Sequence, residues 1–538
     1  MTRLLLVLVC LLAAAPAKAA DRYEDLLALY ARFRNAAEPL WNGPVADYSA
    51  AAMAAQHQTA KRHLAELRAI DDSVWPVPQR VDHMLVLAEM RSVDFQHRLI
   101  RPWQRDPSFY STLNIGWGPK IADAFGVPDL PLRDPAALAK FEKSLRAVPA
   151  VLRGARTNLT DLRRDLVKLG IGHKKIELRL FDRMVRNLGA HHPRLVPHAK
   201  AARGATAEFI QWLEREAPRA RPDAGVGKME FDWYLRYVLL LPYSWDEMRL
   251  LGEREYERSL AFLKMEEHEH RQMPMIEPVT SLSAFELRRS EADADLLKFL
   301  RDKEIMSVPD YLVPPVNEGP YVMPVDRDPA SPGPFDPPIK RNFFRETEDR
   351  DPRPLRAHNV PGHLLDAMNR VRDKRPIRGR ERLNFIDSSR IEGWAFYLEE
   401  LLLQAGFLDA RPKAREIHYI LQTKRAARIL PELRMHSNEW SLDDALRSMS
   451  SRTPYWMEQE DDTAVYDLGL YLRQPGLGIN YYFGKLQIEQ LVAERAAQLG
   501  KGFDFKTFHD AFIAAGPIPI ALTRWEMTGK DDQIRTMR

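Results

Sequence analysis

Apolar residues recur every three or four positions between Arg22 and about Lys303, and charged residues fill the positions between them. The segments EDLLALYARFRNA, AAQHQTAKRHLAELRAI and FEKSLRAVPAVLRGARTNLTDLRRDLVKL show this pattern clearly. A period of three to four residues is typical of amphipathic helices that bury one face. No stretch alternates apolar and polar residues for long enough to indicate a major sheet. The pattern therefore predicts a mostly α-helical protein.

The pattern changes between about Val308 and Pro361, where prolines recur every few residues. Proline lacks a backbone N–H and interrupts long helices. We therefore expect irregular or extended chain here, with one or two short strands, at Tyr321–Met323 and Lys340–Phe344. Loops of this length in compact proteins are usually functional or disordered. Because this one is rich in apolar and aromatic residues, we expect it to be ordered and to line a cleft.

Helical periodicity returns at Leu364 and continues to the end of the chain. The predicted architecture is one large, mostly α-helical body with a central cleft and a Pro-rich, partly extended insertion. An N-terminal helical half (20–303) would form one wall, the segment 304–360 the lining, and a C-terminal helical half (361–538) the other wall. Length alone also allows two or three domains, although residues 20–538 could form a single one.

The first residues have the features of a secretory signal peptide, predicted over residues 1–19. Arg3 is followed by an apolar run from Leu4 to Ala15 and by the small-residue cleavage pattern Ala17-Lys18-Ala19. This predicts a periplasmic or secreted protein with no stable membrane insertion after cleavage. The only cysteine, Cys10, lies inside this segment. It is a poor lipid-attachment site because Val9 rather than a small residue precedes it, and the mature chain would have no thiolate ligand.

The net charge of the chain does not indicate nucleic-acid binding, because 79 Lys and Arg residues nearly balance 75 Asp and Glu residues. The exception is the Arg-rich run RVRDKRPIRGRERL at positions 370–383. We predict that Arg375, Arg378 and Arg380 lie in a solvated loop between helices and add nothing to fold stability. The alternative is that this run anchors an anionic group.

Candidate chemistry begins at RAHNVPGHLLDAMNR, which contains His358 and His363. Residues five apart on an unbroken α-helix are rotated by about 140°, so the two rings could not easily share a metal. Pro361 favours a new helix that begins at its own position. His363 would then lie in the first turn, where the helix dipole keeps the ring neutral, and His358 would lie on the incoming loop. Capping or packing remains an alternative role for both.

A second candidate is the helix predicted over IEGWAFYLEELLL, residues 391–403. Glu392 and Glu399 are seven residues apart and therefore share a helix face. Carboxylates on an apolar face are seldom buried without a partner, which favours a functional role. The alternative is that they form a narrow solvent-facing stripe with Glu400 and Gln404.

Together these motifs resemble a known family. VPGH, EGWAFYLEE, RAARILPELRMHSNEW and QPGLGINYYFGKLQIEQLVAERAAQLGKGFDFKTFHDAFIAAGPIPI are similar to blocks of the bacterial domain-of-unknown-function family 885. The similarity covers nearly the whole mature chain. That family looks like a distant relative of helical zinc carboxypeptidases. The resemblance implies a zinc ion held by His358, His363 and Glu392.

Members of that family usually read His-Glu-x-x-Pro-Gly-His-His, and this chain departs from the pattern. Pro361, Gly362 and His363 match, but the His-Glu pair falls on Ala357 and His358. Shifting the frame by one places His358 at the histidine and Asn359 at the glutamate. On either placement the general-base carboxylate is missing, so we expect a metal centre that is weakened or lost.

The resemblance implies a zinc-dependent hydrolase of peptides or related amides, with zinc as the cofactor. Glu399 or Asp366 would then have to accept the proton of the attacking water, and Tyr481 or His436 would donate to the oxyanion. His509 matches the family's Phe-His-Asp histidine. The alternative is a non-catalytic protein that keeps the cleft to bind a peptide or another small ligand.

Overall fold

The computed structural model describes residues 22–115, 122–316, 319–320, 333–458 and 461–537. The predicted signal peptide and the strand predicted at Tyr321–Met323 lie outside these ranges. Within them the protein is mostly α-helical, as the periodicity predicted. None of the described helices has both the length and the apolar character required to cross a membrane.

Amphipathic helices form most of the N-terminal half, and several begin at a side chain that caps the first turn, such as Ser49 and Asp134. The helices of this half are α1 Tyr23–Ala36, α2 Ala50–Ala69, α3 Val77–Phe95, α4 Pro102–Arg105, α5 Pro135–Asn158, α6 Arg164–His191, α7 Val196–Glu216, α8 Lys228–Tyr237, α9 Trp245–Glu269 and α10 Leu282–Asp302. Two short antiparallel strands, β1 Trp41–Asn42 and β2 Val45–Ala46, pair between α1 and α2.

The C-terminal half is also built mainly from helices. Its helices are α11 Phe343–Glu348, α12 Arg353–His358, α13 Leu365–Arg372, α14 Ser388–Gln404, α15 Pro412–Ala427, α16 Ile429–His436, α17 Leu442–Arg452, α18 Asp462–Arg473, α19 Asn480–Leu499, α20 Phe505–Ala514, α21 Ile520–Thr528 and α22 Asp532–Arg535. A π-helical turn, Asn359–Leu364, joins α12 to α13.

The apolar cores connect distant parts of the chain. One core contains Leu85 of α3, Phe483 of α19 and Trp525 of α21, so it packs the N-terminal helices against the last ones. A second lies within residues 46–220 and is built mainly by α5, α6 and α7. A third contains Val360 and Trp394 and therefore fixes the π-helical turn against α14. This third core positions the candidate site.

The strand predicted at Lys340–Phe344 was wrong. A helix, α11, begins at Phe343, and the side chain of Asn342 accepts a hydrogen bond from the Arg345 N–H as its N-cap. Phe343 is fully buried in an apolar cluster. Phe343 therefore marks the buried side of a short helix rather than a strand.

The surface position predicted for Arg378 was also wrong. Its side chain is buried and donates to Asp82 and Glu526. Arg380 is exposed, and Arg375 is exposed and pairs with Asp373. Only part of the Arg-rich run is therefore solvated, because Arg378 joins α3 to α21 from within the fold.

Candidate metal centre

His358 and His363 lie on one side of a continuous helical segment. His358 is the last residue of α12 and His363 belongs to the π-helical turn that follows, so no new helix begins at Pro361. Pro361 has no N–H to donate to the preceding turn, and a widened π turn accommodates its ring. In such a turn the bonding pattern runs from residue i to i+5. A spacing of five residues would separate the two imidazole rings on an α-helix. In the π turn it instead brings the Nε2 atoms of His358 and His363 to within 2.9 Å of each other.

Glu392 reaches this pair from α14. The π-helical turn approaches α14 closely at Gly362, where an added Cβ would lie 2.8 Å from the Cβ of Ala395. A side chain at position 362 would therefore push the two elements apart. With glycine there, Glu392 Oε2 lies 3.7 Å from His358 Nε2 and 3.5 Å from His363 Nε2.

The three atoms have the separations expected of ligands to one metal ion, and they all lie within 4.8 Å of one another. From the three distances, the point equidistant from the atoms lies about 2.0 Å from each. Zinc–imidazole and zinc–carboxylate bonds are about 2.0–2.2 Å long. Glu392 Oε2 is also buried without a hydrogen-bond partner among the described residues. The residues therefore fit a zinc ion.

The charges of the cluster are coupled. Burial opposes the imidazolium form of His363, but the Glu392 carboxylate outweighs this effect and raises the pKa of His363. Burial likewise opposes ionisation of Glu392, yet His363 and His358 hold its pKa well below the usual range. Glu392 is therefore a carboxylate at neutral pH, which is the form that binds a cation.

A second layer of residues fixes His358. Its Nδ1 atom lies 2.7 Å from Glu399 Oε1, and the same oxygen lies 2.8 Å from Arg425 Nη2. Arg425 Nη1 donates to the other oxygen, Oε2, at 3.1 Å. Burial opposes ionisation, but Arg425 and His358 lower the pKa of Glu399. Metal-bound histidines usually donate their second ring nitrogen to such a carboxylate.

His358 and Glu392 also line a cavity of about 370 Å³. Its wall combines apolar and aromatic side chains with several charged ones. The polar and aromatic lining includes Glu348, Asn359, Arg425, Arg428, Asp467, Tyr471 and Tyr481. Phe344, Leu355 and Arg356, from the segment predicted to line a cleft, are among the others.

The family model for bacterial proteins of unknown function DUF885 matches residues 27–294 and 354–527. These ranges cover most of the chain and include all three candidate ligands. The chain belongs to the DUF885 family. The segment between the matched ranges contributes Phe344 and Glu348 to the cavity of this DUF885 protein.

Two solved structures share the fold of this DUF885 chain. A putative lipoprotein of unknown function from Shewanella oneidensis is 16% identical, covers 94% of this chain and 97% of its own, and has a TM-score of 0.68. A putative lipoprotein from Colwellia psychrerythraea is 15% identical, covers 94% of this chain and 98% of its own, and has a TM-score of 0.69. No curated protein matches the sequence.

Tyr481, which matches the tyrosine of the DUF885 motif, lies beside the candidate ligands. Its ring is stacked on that of His358, with 6.1 Å between the ring centres and an angle of 11° between the ring planes. Burial and the Glu392 carboxylate raise the pKa of Tyr481 well above its usual value. The hydroxyl therefore keeps its proton at neutral pH and can serve as a hydrogen-bond donor in the cavity.

Neither His436 nor His509 is among the residues that line the cavity. His436 stacks on Phe231 at 4.5 Å, and its Nε2 atom lies 3.1 Å from the Tyr471 carbonyl oxygen. His509 hydrogen-bonds to the Tyr397 hydroxyl and to the Ile305 carbonyl oxygen. Burial lowers the pKa of each to about 4. Both therefore act as neutral packing residues in this structure.

The two residues predicted to replace the missing base are held in ion pairs. Asp366 binds Arg390 through both carboxylate oxygens, at 2.8 and 3.1 Å. Glu399 is occupied by His358 and Arg425, and it is not among the residues that line the cavity. The structure therefore places Glu399 behind the candidate ligand, where it orients the ring.

The sequence analysis missed several charged residues of the cavity, among them Glu348, Arg425 and Arg428. The two arginines lie three residues apart in RAARILPELRMH, and residues at that spacing share a helix face. This shared face could have indicated buried carboxylate partners for the two cations. Glu348 carried no such signal, because the surrounding segment was interpreted as extended chain.

Proposed function

We propose that this protein binds zinc through His358, His363 and Glu392, and that its cavity holds peptides or related small amides and hydrolyses them slowly. The observation that carries the proposal is the convergence of two imidazole nitrogens and one buried carboxylate oxygen around a common point. Two histidines and a glutamate with an open fourth position are a ligand set of catalytic zinc sites.

Zinc bound there would polarise a substrate carbonyl and lower the pKa of a bound water. The protein's own residues then have distinct roles. Glu399, held by Arg425, orients His358 so that Nε2 points at the metal position. Tyr481 keeps its proton and donates a hydrogen bond to the substrate oxygen that becomes negatively charged.

The weak step in this proposal is removal of the proton from the attacking water. The family's base glutamate is replaced, and both Glu399 and Asp366 are bound to arginines. General acid–base assistance typically contributes 10²–10⁴-fold to a rate. We therefore expect zinc binding with slow turnover. The same observation favours a second function, in which the cavity binds a peptide or small ligand without cleaving it.

Export is part of the proposal. The N-terminal segment 1–19 has the pattern of a signal peptide, and both structural relatives are described as putative lipoproteins. We propose that the mature chain is periplasmic or secreted. Mass spectrometry of the envelope fraction should find a chain that begins near Asp21, and an intact Met1 on cytosolic protein would contradict this.

The test of function is calorimetric zinc titration of the protein beside His363→Ala and Glu392→Gln, with His268→Ala as a control at an exposed histidine. We expect one zinc ion per parent chain, the same for the control, and a large loss of affinity for both ligand variants. A peptide-library digest follows. Zinc binding with no cleavage supports the binding-protein alternative. Brisk cleavage would contradict a weakened centre and indicate another base, with the cavity carboxylate Glu348 as the residue to substitute.

A further inference from the structure

The cavity has a second charged feature, which neither the metal site nor its supporting residues use. Arg428 is 2% exposed and lines the cavity that His358 and Glu392 also line. Its guanidinium carbon lies 4.7 Å from the centre of the Tyr481 ring, and that ring is stacked on His358. Arg428 and the candidate ligand His358 therefore both lie against the ring of Tyr481.

The hydrogen bonding of Arg428 is incomplete. Its Nη2 atom lies 3.0 Å from Asp467 Oδ2, whereas Nη1 and Nε are buried without a partner among the described residues. An arginine has five N–H donors, and buried donors in native proteins are nearly always paired. Leaving one unpaired costs about 1–3 kcal/mol. The unpaired Nη1 of Arg428 is therefore available to donate to an anion in the cavity.

Arg428 also shares its carboxylate partner with a second basic residue. Lys424 Nζ binds the same oxygen of Asp467, at 2.5 Å, and burial together with Arg428 lowers the pKa of Lys424 to about 7. The neighbouring Arg425 is already paired with Glu399. A ligand that brings a negative charge to Arg428 would therefore accept from the donors that Asp467 leaves unpaired.

Tyr471 supplies a second donor at the same place. Its ring lies 5.8 Å from the Arg428 guanidinium carbon, it lines the cavity, and its hydroxyl is buried without a hydrogen-bond partner among the described residues. We infer that Arg428 and Tyr471 form a subsite for a ligand carboxylate, so that the cavity selects peptides or amides that carry a free carboxylate near the bond held at His358 and Glu392.

This subsite narrows the substrate class of the proposed function. A carboxylate would accept from Arg428 Nη1 and from the Tyr471 hydroxyl, and hydrogen bonds to a charged group are among the strongest that proteins make. Because both donor atoms are buried, a small rotation of the two side chains toward the cavity must accompany binding. The carboxylate could be a peptide C-terminus or an acidic side chain, because both present the same group.

The test uses three small peptides and calorimetry. The probes are acetyl-Ala-Ala with a free carboxylate, its C-terminal amide, and acetyl-Ala-Asp amide, which carries the charge on a side chain. Each is titrated into zinc-free and zinc-treated protein, and into Arg428→Lys and Tyr471→Phe. Tyr471→Phe removes only a hydroxyl with no partner among the described residues, so it should fold normally and bind zinc like the parent.

We expect at least one acid to bind the parent tenfold or more tightly than the neutral amide, and both variants to lose this preference. The acid that binds more tightly identifies the source of the carboxylate. The inference would be overturned if the parent bound the acids and the amide equally, or bound no probe at millimolar concentration. It would also be overturned if the preference for an acid survived in both variants. If the parent prefers an acid but binds no zinc, the metal proposal fails and the carboxylate subsite stands. If the parent binds zinc but shows no preference for an acid, the carboxylate subsite fails and the metal proposal stands.

Discussion

Glu399 Oε1 lies 2.7 Å from Nδ1 of His358, on the opposite edge of the ring from Nε2, the atom that faces His363 and Glu392. A carboxylate at this position fixes the orientation of the ring and makes Nε2 a better ligand. Glu399, one of the two residues predicted to replace the missing base, is therefore better described as a support for His358.

This relationship predicts the effect of Glu399→Gln. An amide in place of the carboxylate should weaken zinc binding by about 10–100-fold, because outer-shell partners of ligating histidines typically contribute this much. The measurement is a competition titration with a chelator of known affinity.

Glu400→Gln is the matched control for that experiment. Glu400 is the next residue of α14 and pairs with Arg258 and Lys485, away from the histidines. Its substitution should disturb comparable ion pairs and leave zinc affinity unchanged. Equal losses in the two variants would indicate general destabilisation of α14 rather than a specific role for Glu399.

Zinc affinity should depend on pH in a defined direction. The Glu392 carboxylate raises the pKa of His363, so the metal must displace a proton from His363 at any pH below that raised value. The apparent affinity should therefore rise as the pH increases above 5.5 and level off once His363 is neutral. Titrations in buffers with different ionisation enthalpies measure the released proton. Affinity that stays constant from pH 5.5 to 7.5 would contradict this coupling.

Arg378→Ala should destabilise the fold strongly. The guanidinium is buried between Asp82 and Glu526, and its removal would leave two carboxylates without their cation. Breaking a buried ion pair typically costs about 3–5 kcal/mol. Arg380→Ala, at an exposed position of the same run, should change the free energy of unfolding by no more than about 0.5 kcal/mol. Similar denaturation curves for the two variants would show that Arg378 is not buried in this way.

The crossing of α14 and α19 gives a fourth prediction. A Cβ added at Gly393 would lie 2.4 Å from the Cα of Gly484, so Gly393→Ala must separate two helix backbones. We expect a loss of about 1–3 kcal/mol in stability, as for other overpacked positions. Zinc affinity should fall too, because Glu392 is the preceding residue.

Gly154→Ala in α5 is the control for this substitution. A Cβ added there meets nothing within 4 Å, so the exchange should be neutral or stabilise the helix by up to about 1 kcal/mol. If both alanine variants unfold at the same denaturant concentration as the parent, α14 and α19 do not approach as closely as described.

The helical fold could be predicted because the 3.6-residue period of apolar residues is a local property of the sequence. The features that were wrong depend on partners far along the chain. Arg378 is buried by Asp82 and Glu526, which lie 296 and 148 residues away. The strand predicted at Lys340–Phe344 gave way to a helix because the cap at Asn342 and the burial of Phe343 outweigh the proline-rich surroundings.

At the site, the resemblance to the family brought His358, His363 and Glu392 together, but the sequence could not supply their geometry. The π-helical turn depends on the missing N–H of Pro361 together with the packing of Gly362 against Ala395. The supporting role of Glu399 depends on Arg425, from a different helix. Such contacts leave no periodic signal in the sequence.

Crystals of the mature protein soaked in zinc would test the metal centre most directly, through an anomalous difference map recorded at the zinc absorption edge. We predict one strong peak about 2.0–2.2 Å from His358 Nε2, His363 Nε2 and Glu392 Oε2. Crystals of His363→Ala should lack it. A map with no peak between these three side chains, or with zinc bound only elsewhere on the protein, would contradict the assignment of this cluster as a zinc site.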